Sequence, residues 1–208
     1  AGGRAGRRAA GPLRLANPMS REQEYLRTTL RGSVLRTLAA GLRQPPGSAS
    51  LFEIGRVFLA QDSGLPQERE MAFGALAGLR GDSLWAREPG AFDFYDAKGV
   101  VETVLSHLGL RPSFETSQDP LFHPGRAATV RVGPVTIGAV GELHPRLLGR
   151  FDISAPAAAC FELDLEAMAG LTGVPRRFRP FSRFPAAARD LALVVDESIP
   201  AERLQRIL

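Results

Sequence analysis

Two short motifs carry the residue types best able to move a proton: His123-Pro124-Gly125-Arg126 and Glu142-Leu143-His144-Pro145. In each, an imidazole directly precedes a proline, which holds the histidine's own backbone extended. A glutamate close to His144 could orient its ring for general acid–base work. No serine or cysteine motif accompanies the histidines as a nucleophile. Cys160 lies in an apolar stretch, where a buried thiol is inert. The pattern favours polar turns stabilised by histidine side chains over a catalytic pair.

Three other constellations invite chemistry. Asp93 and Asp96 could pair for metal or acid–base work, but they open an amphipathic stretch, where carboxylates complement a helix dipole with no catalytic role. Gly138-Ala139-Val140-Gly141 lacks the third glycine of a dinucleotide fingerprint and the Lys-Ser/Thr of a phosphate loop, and reads as a tight strand-to-helix turn. Arg176, Arg177, Arg179 and Arg183 interleave with Phe178, Phe181 and Phe184, a basic-aromatic mixture able to contact RNA. In a proline-rich segment the same residues could pack aromatics on domain faces and leave arginines in solvent.

Composition narrows the classes. Cys160 is the single cysteine of 208 residues, which excludes a disulfide scaffold and a cysteine-based zinc cluster. No run approaches the ~18 apolar residues of a membrane-spanning helix, so the expectation is a cytoplasmic protein in a reducing compartment. Lys98 is the only lysine among 26 basic residues, leaving 25 arginines. Four of these (Arg4, Arg7, Arg8 and Arg14) sit near the start, which accounts for the net charge of +4 and leaves the remainder close to neutral.

The elements that must position these residues follow from periodicity. Residues 1–14 read as a flexible, low-complexity leader. Ser20 and Gln23 form a capping box. Leu26, Leu30, Val34, Leu38 and Leu42 repeat every four residues, predicting a helix from Ser20 to Gln44, with Gly32 as a point where it could divide. Leu51 to Leu59 and Met71 to Leu79 read as buried strands. Asp93 starts the clearest helix, with Ala97, Val101, Leu105 and Leu108 on one face and Gly109 after it. Residues 127–132 and 135–140 form a hairpin about Gly133-Pro134. Pro145 to Phe151 is a short helix, and Cys160 to Leu165 a strand with alternating faces. Val174 to Pro185 marks a domain boundary. Beyond it, Leu191 to Val195 reads as a buried strand, followed by a helix from Ser198 and Pro200 into Ile207. One strand and two helical turns cannot bury a core, so this second domain is expected to be truncated. The layout predicts an α+β fold built on a mainly antiparallel sheet with flanking helices.

The order of motifs has a further meaning. Asn17-Pro18-Met19-Ser20, Leu26-Arg27-Thr28-Thr29-Leu30, Leu51-Phe52-Glu53-Ile54-Gly55-Arg56-Val57-Phe58 and Phe92-Asp93-Phe94 with Asp96-Ala97-Lys98-Gly99 come first. The two histidine motifs, Phe184-Pro185 and Arg189-Asp190-Leu191-Ala192-Leu193 follow. This series resembles the C-terminal portion of the β subunit of bacterial phenylalanyl-tRNA synthetase. The resemblance implies a class II synthetase-like, catalytically inactive module over residues 15–175. The linker and first strand and helix of a ferredoxin-like anticodon-binding domain would occupy residues 176–208. It also implies a catalytic α subunit as partner, an (αβ)2 heterotetramer, tRNA(Phe) as ligand, and ATP and Mg2+ as requirements of the whole enzyme.

The same resemblance explains why no catalytic, cofactor or metal residue is expected in this segment. Leu59 stands where working class II enzymes place an arginine on the ATP α-phosphate. Glu162 and Asp164 replace motif glycines, and Ala167 replaces an ATP-binding arginine. Phosphoryl and adenylyl chemistry depends on cationic stabilisation, which these residues withhold. The expected role is a scaffold that docks the α subunit through Leu26, Leu30, Val34, Leu38, Phe52 and Ile54, with Arg176, Arg177, Arg179 and Arg183 as candidate RNA contacts. Two rival readings are a free-standing amino-acid-activating enzyme, which would need arginines near 59 and 167, and an RNA-binding or protein-interaction module without a role in aminoacylation.

Overall fold

A computed structural model describes residues 11–21, 24–81, 90–172, 183–185, 187–197, 199 and 201–207. In chain order the elements are α1 (Arg31–Leu42), β1 (Ala49–Leu59), β2 (Gln67–Ala77), α2 (Phe94–His107), β3 (Ser113–Thr116) and β4 (Phe122–Val132). They continue with β5 (Val135–Leu143), α3 (Pro145–Arg150), β6 (Ala158–Asp164), α4 (Leu165–Ala169) and α5 (Ala201–Ile207). The residues fall into two units, 1–174 and 175–208.

In the first unit a six-stranded sheet runs in the order β1-β2-β6-β5-β4-β3, and every neighbouring pair is antiparallel. The expected α+β architecture is therefore the observed one. Side chains alternate across the sheet, so each face collects its own core. Phe73, Ala75 and Cys160 pack with Leu30, Leu35 and Leu38 on the α1 face. Ala72, Leu76, Phe161 and Leu163 pack with Ala97, Val101 and Leu105 on the α2 face.

Local signals that needed no distant partner hold. Asp93 caps α2 by accepting from the backbone N–H groups of Tyr95 and Asp96, and Asp96 accepts in return from Asp93. The β4–β5 hairpin turns at Gly133, and α3 begins at Pro145.

Other expectations need correction. The helix expected from Ser20 is α1, which begins at Arg31, and the Gln23 half of the proposed capping box lies outside the described residues. Residues 24–28 form no helix, and Tyr25 makes an isolated antiparallel bridge to Arg14 instead. Leu26 N–H donates to the Leu13 carbonyl, and Phe58 N–H donates to the Arg27 carbonyl. These distant backbone bonds override the four-residue apolar repeat, and Gly32 sits inside the first turn of α1 rather than dividing it. Strand β1 is half-exposed, because it lies at the sheet edge beyond the reach of α2. Strand β6 is buried on nearly all positions, because it lies between β2 and β5 with helices on both faces.

Gly138 and Gly141 lie inside β5 and not at a strand-to-helix turn. A Cβ on Gly138 would collide with the Glu162 carbonyl, and one on Gly141 would meet the Phe122 ring at 2.7 Å. Close packing, and no phosphate, requires the two glycines. Strand β3 and helix α4 carried too little pattern to be foreseen. In the second unit Leu191 to Val195 form no strand and are exposed, since no other described strand of that unit is present to pair with them. Helix α5 is present, while Ser198 and Pro200 lie outside the described residues.

Candidate functional site

Three places on the first unit bring chemistry-bearing residues together. The first is a cleft of about 240 Å³ lined by Thr29, Arg31, Leu59, Arg69, Met71 and Glu162, among others. It unites Leu59 and Glu162, two positions whose residue types argue against nucleotide binding. Arg31 donates from Nε to Glu162 at 3.1 Å and from both terminal nitrogens to Asp119 at 3.1 and 2.6 Å. Burial alone would lower the pKa of its guanidinium, but hydrogen bonds to Glu162 and Asp119 outweigh that and raise it. Arg69 donates to Asp164 at 3.0 Å, and Asp164 also caps α4 by accepting from Ala167 N–H at 3.0 Å.

Both arginines lining the cleft are thus held by carboxylates of the same chain. A triphosphate needs uncommitted positive charge, and the volume lies below the ~300–1,000 Å³ of ordinary small-molecule sites. The residues present do not fit ATP. Among the described residues no cluster of three or more His, Cys, Asp or Glu side chains could hold a metal ion. The nearby Cys160 thiol is fully buried; burial pushes its pKa up to about 12, against a smaller lowering by Arg31, so it is no nucleophile at neutral pH.

The second place is the outer edge of β1. Phe52 pairs with Gly74 and Ile54 with Ala72, so both side chains lie on the α2 face of the sheet. Helix α2 packs on β2, β5 and β6 and leaves them uncovered. Phe52 is 69% exposed and Ile54 54% exposed. The backbone of the same strand is also open. Phe58 N–H and Arg56 carbonyl point outward, where the Arg27 carbonyl and Arg27 Nε engage them. Antiparallel parity gives Ser50, Phe52 and Ile54 the same outward direction, with no partner among the described residues.

The third place joins the two histidine motifs. A register shift between Phe122 and Ala127 lifts residues 123–126 out of the β4–β5 ladder as a bulge, a device that re-aims side chains. His123 Nδ1 accepts from Gly125 N–H at 3.1 Å, and His144 Nδ1 accepts from Arg146 N–H at 3.2 Å. Both imidazoles therefore stabilise turns, in keeping with the reading from sequence. Across the bulge, Arg126 donates to the buried Glu142 at 2.7 Å, and Glu142 also accepts from Phe94 N–H at 3.3 Å. The hydrogen bond to Glu142 is the main reason the Arg126 pKa is raised.

The structure divides the docking residues expected from sequence. Leu30, Val34 and Leu38 are buried in the α1-side core, so they hold this chain together and offer no surface to a partner. The reason is geometric: α1 lays its apolar face on β1 and β2. Leu26 is half-buried, while Phe52 and Ile54 remain exposed. Asp93 and Asp96 cap α2 and hold Arg80, with Arg80 Nη2 at 2.8 Å from each. Of the candidate RNA contacts, Arg176, Arg177 and Arg179 lie outside the described residues, and Arg183 is exposed. Sequence reasoning missed Arg31 and Arg69, whose partners are distant in the chain. The Arg126–Glu142 pair had one visible hint: each residue belongs to a His-Pro motif and their charges are opposite.

Residues 4–165 match the family model for the phenylalanyl-tRNA synthetase β chain CLM domain. A phenylalanine–tRNA ligase β subunit of Dehalococcoides mccartyi strain 195 is 38% identical over 94% of this chain and 24% of its own length. One from Halalkalibacterium halodurans is 37% identical over 95% of this chain and 25% of its own. The chain thus spans about a quarter of the curated relatives it matches. Among solved structures, a pyrrolysyl-tRNA synthetase of Desulfitobacterium hafniense is similar over 72% of this chain and 50% of that one, with a TM-score of 0.53 at 17% identity. That likeness places the fold among synthetase cores. The match over residues 4–165 shows that this chain belongs to the phenylalanyl-tRNA synthetase β chain family.

Proposed function

We propose that this chain is a non-catalytic scaffold within a phenylalanine–tRNA ligase, docking the catalytic α subunit through the open edge of β1. The whole enzyme would join phenylalanine to tRNA(Phe) in an (αβ)2 assembly, with ATP and Mg2+ handled by the α subunit and the work done in the cytoplasm. The observation that carries this reading is the commitment of Arg31 and Arg69 to carboxylates in the cleft where class II chemistry would need free cations. A protein that kept the sheet but neutralised its own cationic groups has given up adenylation and retained the framework.

Docking belongs on β1 because Phe52 and Ile54 are the large apolar side chains that its edge leaves in solvent. Covering an apolar side chain of that size contributes roughly 1.5–3 kcal/mol before association costs. Residues 176–208 would lead into the anticodon-binding part. The exposed Arg183 and the apolar stretch from Leu191 to Val195 support it.

The test is co-purification with a matching α subunit. Phe52→Asp with Ile54→Asp is expected to abolish capture while leaving the thermal unfolding of the chain unchanged. Undiminished capture by the folded double variant would overturn the docking assignment. Leu30 or Val34 variants would not serve, because their side chains hold the core.

A further inference from the structure

Two clefts flank the β4 bulge, and the proposed scaffold role uses neither. One, about 390 Å³, is lined by Asp119, Phe122, Pro124, His144 and Arg146 among others. The other, about 470 Å³, is lined by Asp93, Tyr95, Gly125, Arg126 and Glu142 among others. Both volumes fall in the range of ordinary ligand sites. The carboxylates that line them are already engaged. Asp119 holds Arg31, Asp93 holds Arg80 and caps α2, and Glu142 holds Arg126.

Arg146 and His144 Nε2 are not so engaged, and Arg126, although charge-paired with one carboxylate as Arg69 is, keeps donor nitrogens open to solvent. Arg126 gives only one terminal nitrogen to Glu142, leaving its other terminal nitrogen and Nε without a partner among the described residues. The buried carboxylate beneath it fixes the guanidinium in place while its side chain stays 59% exposed. Arg146 makes no side-chain ion pair among the described residues. His144 accepts at Nδ1, so its neutral ring carries the proton on Nε2, another donor. Beside Arg126, Tyr95 is 74% exposed, its ring held edge-on by Phe94 with centroids 5.3 Å apart.

From this arrangement we infer that the bulge is a contact site for an unpaired RNA segment. Phosphodiester groups would bridge Arg146 and His144 on one side to Arg126 on the other, and a base would stack on Tyr95. Donors divided between two clefts suit a ligand with repeated anions, and an exposed ring lining the second cleft suits a base; together they are the ingredients of single-stranded RNA binding. An isolated anion would use one cleft and leave Tyr95 without a role. The inference rests on the reading of this chain as part of a tRNA-joining assembly.

The test is fluorescence anisotropy of a labelled twelve-nucleotide single-stranded RNA with the full chain over a salt series. Arg126→Ala with Arg146→Ala is expected to weaken binding at least ~10-fold at low salt. It should also reduce the log–log salt slope by about 1.4, since each single-strand phosphate no longer neutralised removes ~0.7. Tyr95→Ala should weaken binding ~5-fold or more, with the slope unchanged, because stacking releases no counterions. Removing the same charge at Arg36 and Arg111, exposed residues that line neither cleft, should change affinity less than ~2-fold. An equal loss in both double variants would reduce the effect to net charge and overturn the site. So would displacement of the RNA by millimolar inorganic phosphate or by polyglutamate. The Phe52→Asp, Ile54→Asp variant separates the two readings, since it should lose the α subunit and still bind RNA.

Discussion

The cleft bounded by Leu59 and Glu162 and the outer edge of β1 share a strand, yet they treat polar groups and apolar surface in opposite ways. In the cleft, Arg31 is shared between Asp119 and Glu162, and Arg69 is held by Asp164. On the edge, the backbone groups of Ser50, Phe52 and Ile54 have no partner among the described residues, and two large apolar side chains lie in solvent. A buried charge must be matched within the fold or it destabilises the fold. An exposed edge is a standing invitation to another chain. On the proposed reading, chemistry is withdrawn from the sheet interior while interaction is kept at its rim.

Five variants put this contrast at risk. The largest effect belongs to Val34→Asp, which puts an unpaired charge into the α1-side core and should cost more than ~4 kcal/mol, enough to leave the chain unfolded in circular dichroism. If that variant stayed folded and lost only its partner, α1 would be an interface after all. Arg31→Ala leaves Asp119 and Glu162 facing each other in a half-buried site. A loss of about 2–4 kcal/mol in urea denaturation is expected, below the cost of a fully buried pair because the Arg31 side chain is 27% exposed. A negligible loss would mean that the cleft is more hydrated than its geometry implies.

Asp93→Ala removes the N-cap of α2 and should cost ~1 kcal/mol, a fall of ~2–4 °C in Tm. Asp96 gives the corresponding pH signature. Burial works to raise its pKa, but bonds from Arg80 and from the Asp93 backbone hold it below its ordinary 3.8. A carboxylate depressed in the folded state stabilises fully above its unfolded pKa, and that contribution is lost as pH falls through the lower, folded value. The Tm gap between the native chain and Asp96→Asn should therefore persist at neutral pH and close below about pH 4. A gap unchanged at pH 3 would contradict the ion-pair assignment. The smallest effect belongs to the rim: Phe52→Ser should alter stability by no more than ~0.5 kcal/mol while weakening capture of the α subunit.

How much of this was legible in the sequence depended on distance along the chain. Helix α2 announced itself because Asp93 and Asp96 cap it locally and its apolar face repeats within a few residues. The β4–β5 hairpin was equally local. The run from Leu26 to Thr29 carried the same helical repeat and yet forms no helix, because its carbonyl and side-chain partners come from Phe58, Arg56 and Glu53. The half-exposure of β1 was invisible, since nothing in Leu51 to Leu59 says which strand is the edge. The cleft was legible only by residue type. Leu59, Glu162 and Ala167 argued against nucleotide chemistry, but the guanidinium that neutralises Glu162 comes from 131 positions earlier and its second anchor, Asp119, lies 88 positions beyond Arg31.

Whether this sheet has lost catalysis is decided by phenylalanine-dependent ATP–pyrophosphate exchange with the chain alone, at saturating phenylalanine and ATP. Exchange should be no greater than that of the buffer, because both cleft arginines are bound by carboxylates. Exchange by the chain alone, abolished by Arg31→Ala, would contradict the loss of catalysis and make the cleft a working active site.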